Sequence, residues 1–238
     1  MDNLYTELEL LKKQAQDEAN NGNLPLAKSE KDIVPGEGPL TAEVIFIGEA
    51  PGAQEQIERR PFVGRSGKLF RKILVEESGL DPEQVYISNI VKARPPDNRD
   101  PSIEEIFAYK KYLDKEIEIL NPELIVTLGR FSMAKFLPGV KISKVHGQLY
   151  VSSFNGRSFY VLPMYHPAAA LRATKTKNAF IEDFKKIPKI ISWVKEEKQK
   201  AKCQAPEPKK ELTHLQKEFA KSDKTDKELK FSVVEDLF

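Results

Sequence analysis

The stretch VIFIGEAPGAQEQIERRPFVGRSG, residues 44–67, decides how the rest of the chain is read. It opens with an unbroken apolar run, the pattern of a strand buried on both faces of a parallel sheet. An acidic Pro-Gly turn follows at once, then Arg-Arg-Pro-Phe and a second glycine-bearing loop, and a helical pattern over residues 66–78. In an open α/β sheet the ligand site forms beyond the carboxyl ends of the strands. A carboxylate (Glu49), a turn that lets backbone approach a ligand (Gly52) and an aromatic ring (Phe62) all fall there.

Working outward, residues 42–48, 84–91, 123–129 and 159–164 read as strands, and 66–78, 102–120, 131–136 and 178–195 as helices. This alternation predicts an α/β fold, a sheet covered by helices. An Asn-Gly pair in QLYVSSFNGRSFYVL predicts a β-hairpin. Leu4, Leu8 and Leu11 recur at helical spacing, so the chain should open with an amphipathic helix. The expected organisation is an N-terminal helix and connector (1–40), a folded domain (41–195) and a charged, disordered tail (196–238), because the tail carries too little apolar surface to order itself.

The 238 residues can bury one substantial core. With 38 basic against 36 acidic residues, net charge alone selects neither nucleic acid nor membrane, so any electrostatic footprint must be local. One cysteine excludes an internal disulfide framework, and three scattered histidines make no metal pattern. No long apolar run or signal peptide is visible. A soluble, cytoplasmic monomer is expected.

The loops after the strands hold the unusual residues. Glu49 either caps its turn or works chemically by orienting water, accepting a proton or facing positive charge. Glu55 reads as a solvated helix or loop residue. Phe62 is either core or a platform for a flat ligand. Asn89 interrupts an apolar strand, and its amide needs a partner that a loop backbone or a nucleobase edge would supply. His166 is either structural or a hydrogen-bond donor to an anionic leaving group. Basic residues gather around the same loops, among them Arg65, Lys92, Arg94, Arg99 and Arg172, as a phosphate-binding rim would require. GEAPG lacks the spacings of dinucleotide and nucleotide-triphosphate loops.

Taken in order, GEAPGAQE, RPFVGRSG, VYISNIVKARPPDNRDP, LIVTLG and MYHPAAALR resemble the family 4 uracil-DNA glycosylases over about residues 24–193. The resemblance implies a three-layer α/β/α sandwich around a four-stranded, mostly parallel sheet. It implies hydrolysis of the N-glycosidic bond of deoxyuridine in DNA, with the base flipped out of the stack. Glu49 and Ala50 would then lie near the attacking water, Phe62 would stack on uracil, and Asn89 would read its edge. His166 would bond uracil O2, and Glu55 would be a second acidic residue of the site. A non-catalytic damage-binding protein and a glycosylase for deaminated purines are the rival readings.

Two departures stand out. Family members hold a four-iron, four-sulfur cluster through cysteines, and the aligned positions here are Asn21, Leu24, Ala93 and Tyr109, so no cluster and no metal is expected. Ala170 replaces a common leucine, which leaves Leu171 as the candidate wedge behind the flipped base. At the C-terminus, FSVVEDLF resembles short peptides that dock on a sliding clamp. Residues 232–238 would be that peptide, or else a terminal strand or helix turn covering the domain's own apolar surface.

Overall fold

The computed structural model describes residues 2–204 and 231–233. Strands β1 (Val44–Gly48), β2 (Tyr86–Asn89), β3 (Leu124–Leu128) and β5 (Arg157–Met164) run parallel, and β4 (Tyr150–Phe154) and β6 (Phe231–Val233) extend one edge antiparallel. The order is β2-β1-β3-β5-β4-β6. The four expected strands thus form the parallel portion, but the sheet is wider than the four-stranded one expected. The hairpin contributes β4, and the chain's last described residues add β6.

Every residue of β1 is buried, and its side chains alternate between two cores. Ile45 and Ile47 pack into one cluster with residues of α1 (Asp2–Asn20), α4 (Ile103–Leu120) and α5 (Arg130–Phe136). Val44 and Phe46 pack into the other, with residues of α3 (Arg65–Ser78) and α8 (Thr174–Gln204). Helices therefore cover both faces, as in the expected sandwich. The second core is built on rings, with Phe46 against Phe70 at 5.1 Å and Phe180 against Phe184 at 4.7 Å.

The termini of these elements follow from local chemistry. Ser102 caps α4 by accepting from Glu105 N, while the Glu105 carboxylate accepts from Ser102 N at 2.7 Å, a reciprocal capping box. Asn155 and Gly156 both take positive φ in the hairpin turn, as the Asn-Gly pair requires. Short helices α2 (Ala53–Glu58), α6 (Ile142–Val145) and α7 (Pro167–Ala170) lie within the connecting segments.

The tail differs from expectation. Helix α8 does not stop at residue 195 but continues to Gln204. Phe231–Val233 pairs with Ser152, Val151 and Tyr150 of β4. The terminal-strand alternative therefore holds for the start of the candidate docking peptide, and residues 234–238 lie outside the described residues. No helix among the described residues is long and apolar enough to cross a membrane.

Register fixes where the site must be. Gly48 sits opposite Asn89, and Leu128 opposite Met164, so the parallel strands end along one edge of the sheet. The segments that leave that edge carry Glu49, Gly129, Arg130 and His166.

Candidate active site

A cavity of about 910 Å³ opens at this edge. It draws together Glu49, Ala50, Gly52, Glu55, Phe62, Asn89 and His166, with Arg65, Arg99, Leu171 and Arg172 also lining it. Two candidates are not among its walls. Arg94 bonds Asn98 Oδ1 through Nε at 2.8 Å and lies outside. Lys92, expected to contact DNA, is buried instead, its Nζ 2.7 Å from Glu116 Oε2 and also donating to Ser88 Oγ. Burial lowers its pKa against the pull of Glu116. A cation just past a strand can turn inward to a buried carboxylate as readily as outward, and here it ties the end of β2 to α4.

The aromatic wall is held under strain. Phe62 stands at φ +55°, a left-handed conformation that costs an L residue roughly 1–2 kcal/mol. Its surroundings enforce it. Glu55 Oε1 accepts from Val63 N at 3.0 Å and Gly64 N at 2.7 Å, while Arg71 donates to Phe62 O at 3.0 Å and Pro61 O at 2.9 Å. Glu55 is therefore not the solvated residue expected but a buried clasp for the loop that presents the ring. Two glycines make the seat. A Cβ on Gly67 would lie 2.1 Å from the Phe62 carbonyl carbon, and one on Gly48 would lie 2.5 Å from the Phe62 ring and 2.4 Å from Asn89 Oδ1.

Asn89 is 3% exposed, and its Oδ1 has no hydrogen-bond partner. A buried acceptor left unpaired costs about 1–3 kcal/mol, and because Asn89 lines the cavity a ligand donor there would relieve that cost. His166 begins α7 as its N-cap. Its Nδ1 accepts from Ala168 N at 3.2 Å, so the proton of the neutral ring sits on Nε2. Burial, helped by the Arg172 charge, pushes its pKa down to about 4. The imidazole is neutral at physiological pH, and the ring lies 5.9 Å from that of Phe62.

Glu49 is the opposite case. Burial first, and Asp100 second, push its pKa up to about 7 against the opposing charge of Arg130. Asp100 and Arg130 form an ion pair and both line the cavity, as do Tyr165 and Ile142. These four were not singled out from the sequence, although Arg130 directly follows a predicted strand end and Asp100 lies in the PPDNRDP loop. Ala170 is 2% exposed whereas Leu171 is 37% exposed at the mouth, so only Leu171 could reach into DNA.

The positions aligned with cluster cysteines do not suit a cluster. Leu24, Ala93 and Tyr109 are buried in one apolar core, Asn21 is exposed, and none offers a thiolate. Tyr109 Oη donates instead to Pro25 O at 2.6 Å, bracing the N-terminal connector against α4.

Residues 35–187 match the family model described as the uracil DNA glycosylase superfamily. The chain is 45% identical over 172 residues to the type-4 uracil-DNA glycosylase of Saccharolobus solfataricus, covering 70% of this chain and 80% of that one. It is 46% identical over 164 residues to the type-4 uracil-DNA glycosylase of Sulfurisphaera tokodaii, covering 67% and 74%. A type-4 uracil-DNA glycosylase of Thermotoga maritima is 38% identical over 198 residues, 82% of this chain and 100% of that one. These matches place the chain, whose pocket at the strand ends brings together Asn89, Phe62 and His166, in the uracil DNA glycosylase superfamily.

Proposed function

We propose that the protein excises uracil from DNA, hydrolysing the N-glycosidic bond and leaving an abasic site, as the first step of base excision repair. The observation that carries this reading is the convergence of three groups in one cavity. They are the unpaired Oδ1 of Asn89, the ring of Phe62 and a His166 whose proton is on Nε2.

Uracil offers N3–H to Asn89 Oδ1 and O4 to the Asn89 amide N–H. Cytosine presents a bare N3 and an amine, so both contacts would face like against like and the unpaired groups would penalise it. Phe62 stacks on the flipped base, worth about 1–3 kcal/mol. As the C1′–N1 bond breaks, its electrons pass to uracil N1 and spread to O2. His166 Nε2–H donates to that developing charge as a neutral imidazole, with no proton to be taken up beforehand. Glu49, once ionised, faces the positive charge that builds at C1′ and orients the water that attacks there. The water's oxygen bonds C1′ and its proton leaves to the carboxylate.

Leu171 would fill the gap in the stack and Arg65 and Arg172 would meet phosphates, whereas the Arg99 guanidinium, expected to do the same, already donates to both carboxylate oxygens of Glu105 at 2.8 and 2.6 Å. The reaction as read here uses no iron–sulfur cluster, which the apolar packing of Leu24, Ala93 and Tyr109 supports. A broad iron–sulfur absorbance in anaerobically purified protein would contradict that part. A sliding clamp remains a proposed partner through the residues beyond Val233.

The test is alkali scission of an end-labelled uracil oligonucleotide, with wild type beside Asn89→Asp and His166→Ala. Scission by wild type, much weaker in both variants, is expected. Tight binding without scission would move the protein to the damage-binding class.

A further inference from the structure

A second histidine lies one ring away from the pocket. His146 follows α6, and its ring packs at 4.4 Å between centroids on Tyr165, the pocket residue that precedes His166. Its Nδ1 lies 2.7 Å from Oδ2 of Asp183, a residue of α8 that is 2% exposed. The other carboxylate oxygen faces Lys186 Nζ at 3.4 Å, and that ammonium also donates to Gly147 O at 2.9 Å. Gly147 itself stands at φ +69°, and a Cβ there would lie 1.9 Å from Asp183 Oδ1. The loop is thus shaped around the carboxylate.

A buried ion pair is no bargain for stability, since apolar residues of similar volume often do as well or better. What the carboxylate does give is a fixed ring. With Nδ1 turned to Asp183, Nε2 points away from that carboxylate, on a side chain that is 26% exposed. If Nδ1–H donates to the Asp183 carboxylate, Nε2 can donate only from the imidazolium.

The surroundings indicate which anion. Some surface cations are held by carboxylates, as Lys111 is by Glu18, Lys195 by Glu43 and, at the cavity itself, Arg99 by Glu105 and Arg130 by Asp100. Around the pocket, Lys141 and Lys144 beside His146, and Arg172, Lys175 and Lys177 after His166, are exposed and pair with no carboxylate among the described residues. Cations left without internal partners form the electrostatic track a polyanion needs.

We propose that His146 is a phosphate-binding residue whose Nε2 grips one backbone phosphate of the DNA strand beside the flipped nucleotide, with Asp183 holding the ring in place. This rests on the reading above that the ligand is DNA.

The experiment measures binding by fluorescence anisotropy, using a strand with one 2′-fluoro-2′-deoxyuridine, whose glycosidic bond resists hydrolysis. Uncharged methylphosphonates replace the flanking phosphates one linkage at a time. At one linkage the replacement should weaken wild type roughly tenfold, the loss expected for one hydrogen bond to a charged group. His146→Gln keeps a donor for Asp183 but cannot hold Asp183 and a phosphate together. It should bind the all-phosphate strand roughly tenfold more weakly and lose nothing further at that linkage. Asp183→Asn, with the imidazole present but less firmly held, should lose less and at the same linkage. Losses that multiply at every linkage, or His146→Gln binding as wild type does, would overturn the proposal. Because the readout is binding, wild type that binds but fails to excise uracil would sink the excision reading and leave this one tested.

Discussion

His166 and His146 stand on either side of Tyr165 and are wired in opposite senses. His166 receives a backbone N–H at Nδ1 from Ala168 and sits where burial drives its charge off. His146 turns Nδ1 to the buried carboxylate of Asp183. The partner of one ring nitrogen sets what the other can do. The first arrangement gives an uncharged donor that can face a leaving group without having to ionise, and the second gives a ring ready to meet an anion. On the two proposals above, two residues of the same type divide the chemical step from the grip on the strand.

The largest expected effect tests the first half of this contrast. His166→Ala should reduce kcat by about 10²–10³, the loss seen when one preorganised donor to a developing oxyanion is removed. Binding of the non-hydrolysable strand should change little. His146→Gln should show the reverse pattern in single-turnover and binding measurements. If both variants lost kcat alike, the division of labour would be wrong.

Next comes pH. The proposed mechanism needs Glu49 ionised and His166 neutral, and their pKa values of about 7 and about 4 leave Glu49 to set the acid limb. The rate should climb through about pH 7 and show no separate His166 limb until near pH 4. Glu49→Gln should lower kcat about a hundredfold, within the range for a lost general base, and remove the limb near 7. Stability supplies an independent check. Between the ordinary value of 4.5 and about 7 the folded chain keeps a proton that the unfolded chain releases. Folding is therefore progressively disfavoured as pH rises through that window, and the loss is complete above it. The Gln variant lacks this penalty, so its melting temperature should gain on wild type from pH 4.5 upward and level off above 7. A gap that shrinks with rising pH would show that Glu49 is not held protonated by burial.

A smaller effect is expected where the wall opposite His166 is built. Glu55→Ala removes the acceptor for two loop amides and releases a left-handed Phe62, so kcat/KM should fall about tenfold, with several degrees lost in Tm. Glu55→Gln keeps a side-chain oxygen for those amides and should retain most of the activity. Equal losses in the two would mean that the carboxylate charge, rather than the clasp, is what matters.

These cases also show what a sequence discloses. The parallel strands were legible because burial on both faces leaves unbroken apolar runs, and their ends named the pocket before any side chain was placed. Asn89 stood out as polar within such a run. Lys92 and Glu55 were misread for one reason: a charge beside a strand or in a helical turn has no periodicity to say whether it faces water or a buried partner. Glu116 and the Val63 and Gly64 amides, which settle the matter, are distant in sequence or belong to the backbone. Helix α8 overran its expected end because a charged helix can continue past the core on local propensity alone. Strand β6 depends on the edge of β4, a tertiary circumstance that three residues cannot announce. His146 was passed over because its partner lies on another helix, Asp183 in α8.

The smallest effect lies far from both histidines. Tyr109→Phe removes the hydrogen bond to Pro25 O and little else, because the ring keeps its place in the core. About 1 kcal/mol should be lost, a few degrees in Tm. Excision rate and DNA affinity should both be unchanged, unlike either histidine variant. The interest lies in where this bond sits, at a position where the family resemblance puts a cluster thiolate. If packing and this one hydrogen bond do the cluster's bracing, Tyr109→Ala, which removes the ring as well, should cost about 3–5 kcal/mol as a large core truncation and loosen the segment around Pro25 to proteolysis. If Tyr109→Ala melted like wild type, the connector would be held by some other means, and the apolar core around Leu24 and Ala93 would not be the cluster's replacement.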